Sequence, residues 1–173
     1  MTLTETLLVL GVGAMAAAIA YGGYRMTADT MAVARAVDGT NLLARSIKRA
    51  WPGDYTGLHS IGVISSKIVP DELRTNGSSE IYTPWGGRIL PQAGAAGVPT
   101  PTTKFKLNVA GVPAGACVDF VNGVAAGAES VWVGGSTAGT HDVKPAGQPV
   151  QVQRLIDRCA AVTPASWVTV VIS

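Results

Sequence analysis

Charge is what this sequence has least of, and the shortage is greatest at its start. Only 14% of the 173 residues are Asp, Glu, Lys or Arg, against about 25% in a typical soluble domain. Glu5 is the only charged side chain before Arg25. The chain has no acidic tail, no run of like charge and no basic stripe interleaved with aromatics, so nothing in it reads as a nucleic-acid surface. Its 13 Lys and Arg against 11 Asp and Glu leave a net charge of only +2. Histidine occurs only at His59 and His141, with no Cys/His spacing that suits a metal. Ser60, Ser65 and Ser66 near His59 do not form a nucleophile elbow. Gly11-x-Gly13 lacks both a preceding strand and the rest of a dinucleotide fingerprint. Asp71 and Glu72 read as a solvated turn, and no internal repeat is visible. These absences leave no catalytic constellation, so the chain is not expected to be an enzyme or to carry a cofactor or metal.

What is present begins at the N-terminus. Residues 6–24 form an uncharged apolar run long enough to cross a bilayer. It is no secretory signal peptide, because an acid stands where the basic n-region belongs. Gly11, Gly13, Gly22 and Gly23, with five alanines between 14 and 20, keep it slim, and small residues let helices approach closely. A carboxylate at the edge of such a segment costs a few kcal/mol in hydrocarbon and needs a counter-charge. The nearest is the α-amino group of Met1, on the same chain or on a neighbour.

The helical pattern continues past Arg25. Met26, Val33, Val37, Leu43, Ile47 and Trp51 fall on one side, with Arg35, Asp38, Arg45 and Arg49 on the other. Asp38-Gly39 is a weak point, and Pro52-Gly53 ends the helix. A helix from Met1 to Trp51 would be about 75 Å long, more than one domain of this size can cover. The chain is therefore divided into 1–51, a membrane or fibre-core and spine helix, and 52–173, a globular head.

In the head, Leu58–Val69 reads as a short helix or irregular apolar segment and Val69–Leu73 as a turn. Glu80–Ile89 reads as an extended piece broken by Pro84-Trp85-Gly86-Gly87, and Lys104–Val109 as a half-buried strand. Val118–Ala126 reads as a helix presenting Cys117, Phe120, Val121 and Val124 on one face. Val131–Val133 is expected as a short strand, Val150–Cys159 as a strand followed by a helical turn, and Trp167–Ile172 as the final strand. Gln92–Thr103 and Gly134–Gln148 are expected as exposed loops. The only cysteines, Cys117 and Cys159, are either one disulfide, the default in an exported protein, or two reduced core residues. A bridge would close a loop of about 43 residues, worth roughly 4 kcal/mol on the chain-entropy model.

Taken together, Met1-Thr2-Leu3-Thr4-Glu5, the uncharged helical run, the amphipathic continuation and a head with two cysteines resemble a mature type IV pilin. Met at position 1 resembles the type IVb branch, which includes toxin-coregulated, bundle-forming and thin conjugative pilus subunits. So do a cysteine opening the second helix, at Ala116-Cys117-Val118, and one shortly before the last strand. Thr4 departs from the pattern, at a position that is often apolar. The resemblance implies an α+β fold: a long N-terminal helix packed on an antiparallel β-sheet head with one disulfide, Cys117–Cys159. It implies leader removal by a prepilin peptidase, N-methylation of Met1, and pairing of Glu5 with the Met1 amine of another subunit. It further implies loss of helix around Gly11, Gly13, Gly22 and Gly23 in the fibre. The expected partners are other copies of the chain, the inner-membrane assembly machinery and an outer-membrane secretin, with a host or recipient cell surface as a further contact. The expected location is the bacterial inner membrane, then an extracellular pilus. The leading reading is the major structural subunit. A minor pilin or tip adhesin, and a membrane-tethered exported binding protein that stays monomeric, are the alternatives.

Overall fold

The computed structural model describes residues 29–76, 79–94, 103–134, 142–161 and 165–173. Val33–Ser173 form one compact unit and Met1–Ala32 another, of which only residues 29–32 are described. Helix α1 occupies residues 29–50. From Val33 it buries Ala36, Thr40, Leu43, Ala44 and Ile47, the i, i+3, i+4 spacing of an amphipathic helix. Arg35, Asp38, Arg45 and Arg49 face water, on the side the sequence assigned them. Gly39, expected as a weak point, is instead a contact. A Cβ there would lie 2.9 Å from the Leu73 side chain. The helix ends as expected: Trp51 N–H donates to Ile47 O, 2.9 Å, Pro52 has no N–H to continue the ladder, and Gly53 takes φ +82°.

The chain then runs through α2 (Ser60–Ser65), β1 (Arg74–Asn76), β2 (Glu80–Tyr82), β3 (Arg88–Ala93) and β4 (Phe105–Pro113). Then come α3 (Ala114–Ala125), β5 (Ser130–Gly134), β6 (Asp142–Lys144), α4 (Val152–Ala161) and β7 (Ala165–Ile172). The strands form a 7-stranded sheet in the order β1-β2-β3-β4-β7-β5-β6, and every pairing is antiparallel. The last strand lies between β4 and β5, with Leu107 and Val131 both opposite Val170, and Val109 and Val133 both opposite Val168. Strand β7 thereby ties two separate stretches of chain into one sheet.

The Pro-Trp-Gly-Gly segment is the β2–β3 hairpin turn. Thr83 N–H donates to Gly87 O at 2.8 Å, and Gly86 N–H donates to Thr83 O at 2.9 Å. Gly86 takes φ +87°, a conformation that glycine adopts without steric cost. Gly87 presses on the β4 bulge. A Cβ there would lie 1.9 Å from Ala110 O, a backbone atom. Two buried polar residues face each other across β4 and β7: Thr169 Oγ1 donates to Asn108 Oδ1 at 2.8 Å, and Asn108 Nδ2 donates to the exposed Gln92 Oε1 at 3.0 Å. Pairing of this kind offsets the cost of burying polar groups.

Three sequence expectations change. Strand β6 lies within the expected loop Gly134–Gln148. Residues Val150–Cys159 hold a helix, α4, and no strand. Leu155 and Cys159 lie one turn apart and are buried, while Val152 and Ile156 are exposed. Strand β1 follows the expected turn and had no periodic signal, being only 3 residues long. The architecture is otherwise the expected one, an N-terminal helix packed on an antiparallel sheet. The apolar run 6–24 lies outside the described residues, and among those described no helix is long and apolar enough to cross a membrane.

Candidate functional site

The expected inter-subunit and processing residues, Met1, Glu5, Gly11, Gly13, Gly22 and Gly23, lie outside the described residues. So do His141 and most of the two expected surface loops, 95–102 and 135–141. The structure does bring the two cysteines together.

Cys117 sits in the first turn of α3 and Cys159 in the last turn of α4. They form a disulfide, with Cα atoms 5.7 Å apart and a sequence separation of 42. Both are almost wholly buried, at 0% and 3% exposure, so the bond is part of the core and sheltered from reductant. Helix α3 forms because Cys117, Phe120, Val121 and Val124 recur on one face, and all four are buried. Phe120 and Trp85 form a T-shaped pair, 5.5 Å between ring centroids and 87° between planes, a favoured aromatic geometry. Where α3 meets α1, Gly123 allows the approach. A Cβ there would lie 2.6 Å from Val37 Cγ1. Asn41 Nδ2, on α1, donates to Gly123 O at 3.3 Å.

The carbonyl end of α3 is capped by a lysine from β6. Lys144 Nζ donates to Ala125 O, on the last residue of α3, at 2.6 Å and to Ala128 O just beyond it at 2.5 Å, placing a cation at the negative end of the helix dipole. Strand β6 is thus bound to α3 by a side chain, a contact with no signal in the local sequence pattern. Asp142, on the same strand, has its carboxyl raised above the usual range by burial, a shift partly offset by the Arg154 guanidinium. Arg154, on α4, donates to Asp142 O at 3.1 Å.

On the outside, α4 presents Val152 and Ile156 beside a Gln153 Nε2–Asp157 Oδ1 hydrogen bond of 3.1 Å. At the far edge of the sheet Glu80 accepts from Tyr82 Oη and from Arg88 Nη1, the latter at 2.7 Å. These bonds, Tyr82 first, hold the Glu80 carboxyl below its ordinary range. Such an exposed pair contributes little stability. His59 bonds locally, its Nδ1–H donating to Gly57 O. Among the described residues no three His, Cys, Asp or Glu side chains gather as metal ligands.

The PilS N terminal family model matches residues 27–172. No curated protein matches the sequence. Among solved structures, the chain is similar to TcpA, a type IV pilin from Vibrio cholerae El Tor biotype, with TM-score 0.62 and 13% identity, covering 83% of this chain and 99% of that one. It is also similar to the type IVb pilin from Salmonella typhi, with TM-score 0.60 and 14% identity, covering 78% of this chain and 95% of that one. At such low identity these structures speak for the fold, and the family match speaks for descent. The helix packed on an antiparallel sheet is the fold of these type IV pilins, and by the family match the chain belongs to the PilS N-terminal family.

Proposed function

We propose that this chain is the major structural subunit of a type IVb pilus and polymerises into a helical filament through its N-terminal helix. The observation that carries this reading is a single acid, Glu5, in an otherwise uncharged run of 24 residues preceding a pilin head. Before assembly the run 6–24 anchors the chain in the inner membrane. A prepilin peptidase exposes the Met1 amine, which is then N-methylated. On entry into the fibre, Glu5 meets the Met1 amine of a subunit already in place.

That pairing sets register more than it adds stability. Desolvation opposes the attraction, but leaving either charge buried alone costs about 3–5 kcal/mol. Only one axial stagger avoids this cost. The apolar run moves from lipid to a protein-lined core, so close packing at Gly and Ala supplies the attraction. Gly11, Gly13, Gly22 and Gly23 let the helix stretch locally there. Residues 1–51 then act as spine, and 52–173 as the exposed head. The partners are other copies of the chain, the inner-membrane assembly machinery and a secretin. The system most in keeping with the head is a thin conjugative or similar pilus. Electron microscopy of sheared surface material, with mass spectrometry of its protein, tests the reading. Thin filaments composed mainly of this chain are expected. Filaments in which it is a trace component would make it a minor or tip subunit, and dispersed single copies would contradict polymerisation.

A further inference from the structure

A cavity of about 280 Å³ opens beside α1, against the end of α3 and β7. From α1 it takes Thr40, Asn41, Arg45 and Lys48, whose spacing places them on one arc of the helix. Val170 and Ile172, both nearly fully buried, supply an aliphatic wall. Thr40 is 1% exposed, and its hydroxyl has no hydrogen-bond partner. A threonine inside a helix commonly satisfies itself on the carbonyl one turn back; this one does not, and it lines the cavity. Arg45 and Lys48 are exposed and form no ion pair among the described residues. No acid lines the cavity. The nearby carbonyl end of α3 is already neutralised by Lys144.

A buried hydroxyl donor, a guanidinium and an ammonium above an aliphatic wall are complementary to a carboxylate on a short aliphatic stem. We propose that this cavity receives an acidic side chain from a second copy of the chain. The proposal rests on the polymer reading above and names a contact between heads. Charge complementarity supports it: Asp71 and Asp119 are exposed and likewise in no ion pair among the described residues. A cavity on one copy filled by a different group of the next is a heterologous contact, the kind that propagates into a helix rather than closing as a dimer. Guanidinium and ammonium pairing with a carboxylate also predicts sensitivity to salt.

The test uses filaments co-assembled from full-length chains of two distinguishable masses. A water-soluble carbodiimide condenses an amine with a carboxylate in contact, forming an amide as the activated oxygen leaves as a urea. Mass spectrometry should find Lys48 joined to an Asp or Glu of the other-mass chain. Lys48→Arg should remove that link. Arg45→Gln with Lys48→Gln should leave head melting unchanged but make filaments fall apart at a several-fold lower salt concentration. Gly127→Leu offers a second arm without a charge change. A Cβ at Gly127 meets only Asn41 Oδ1, at 3.8 Å, so the head accommodates it while the larger side chain occupies the cavity. Filament yield should drop about tenfold. Filaments with no inter-copy link at Lys48, or unchanged salt resistance in the double variant, would overturn the proposal while leaving the polymer reading intact. Absence of wild-type filaments would overturn both.

Discussion

Single residues decide where this head can pack, and glycine gives the clearest case. Gly87 and Gly115 are both glycines, yet they predict opposite responses to Ala. At Gly87 the new methyl would meet Ala110 O at 1.9 Å, and a backbone atom cannot move aside without disturbing the β4 bulge. Gly87→Ala should cost about 3 kcal/mol, seen as a fall of roughly 6–12 °C in Tm. Gly115, in α3, has nothing within 4 Å of a Cβ. Gly115→Ala should stabilise the head by about 0.5–1 kcal/mol through helix propensity and a less disordered unfolded chain. Thermal melting of the two variants checks both signs. The sequence marked Gly86-Gly87 as a turn because adjacent glycines after Pro-Trp punctuate a chain. It could not distinguish the glycine required by its φ from the one required by its neighbour. Gly39 and Gly123 were opaque for the same reason: their role lies in the side chains of Leu73 and Val37, which are remote in sequence.

At the scale of elements, legibility followed length and periodicity. Helix α1 from Val33, helix α3 and strand β7 were readable because their apolar residues recur at 3.6 or near 2 over many positions. Helix α4 was not, because Val152 and Ile156 are apolar but exposed while Leu155 and Cys159 are buried. With apolar residues on two faces, the period blurs. Strands β1 and β6 have 3 residues each and exist through their partners, β6 through β5 and the Lys144 cap of α3. The pairing of cysteines joins two of these elements. Because Cys117–Cys159 closes 42 residues spanning β5, β6 and α4, its chain-entropy contribution is roughly 4 kcal/mol. Reduction, or Cys117→Ala, should therefore lower the Tm of the head by roughly 8–16 °C. Equal melting with and without reductant under unfolding conditions would show that packing of α3 and α4 alone holds them.

At the scale of the whole molecule, the head and the N-terminal run answer different physical demands. The head, Val33–Ser173, buries its own core and needs no second copy to do so. The run 6–24 has no charge and few large side chains, so in water it has no way to shield itself. In the proposed assembly it lies first in lipid and then among other such helices. Glu5 is intelligible in both settings only if a positive charge is supplied where the segment is driest. The sequence made this conflict visible, because a lone carboxylate stands out in an uncharged stretch, and the proposed pairing in a fibre would resolve it. The most direct measurement compares wild-type and Glu5→Leu chains for membrane content by fractionation and for surface filaments by electron microscopy. The account predicts equal amounts in the inner membrane, with filaments abundant for the wild type and nearly absent for Glu5→Leu. Normal filament numbers with Glu5→Leu would contradict it.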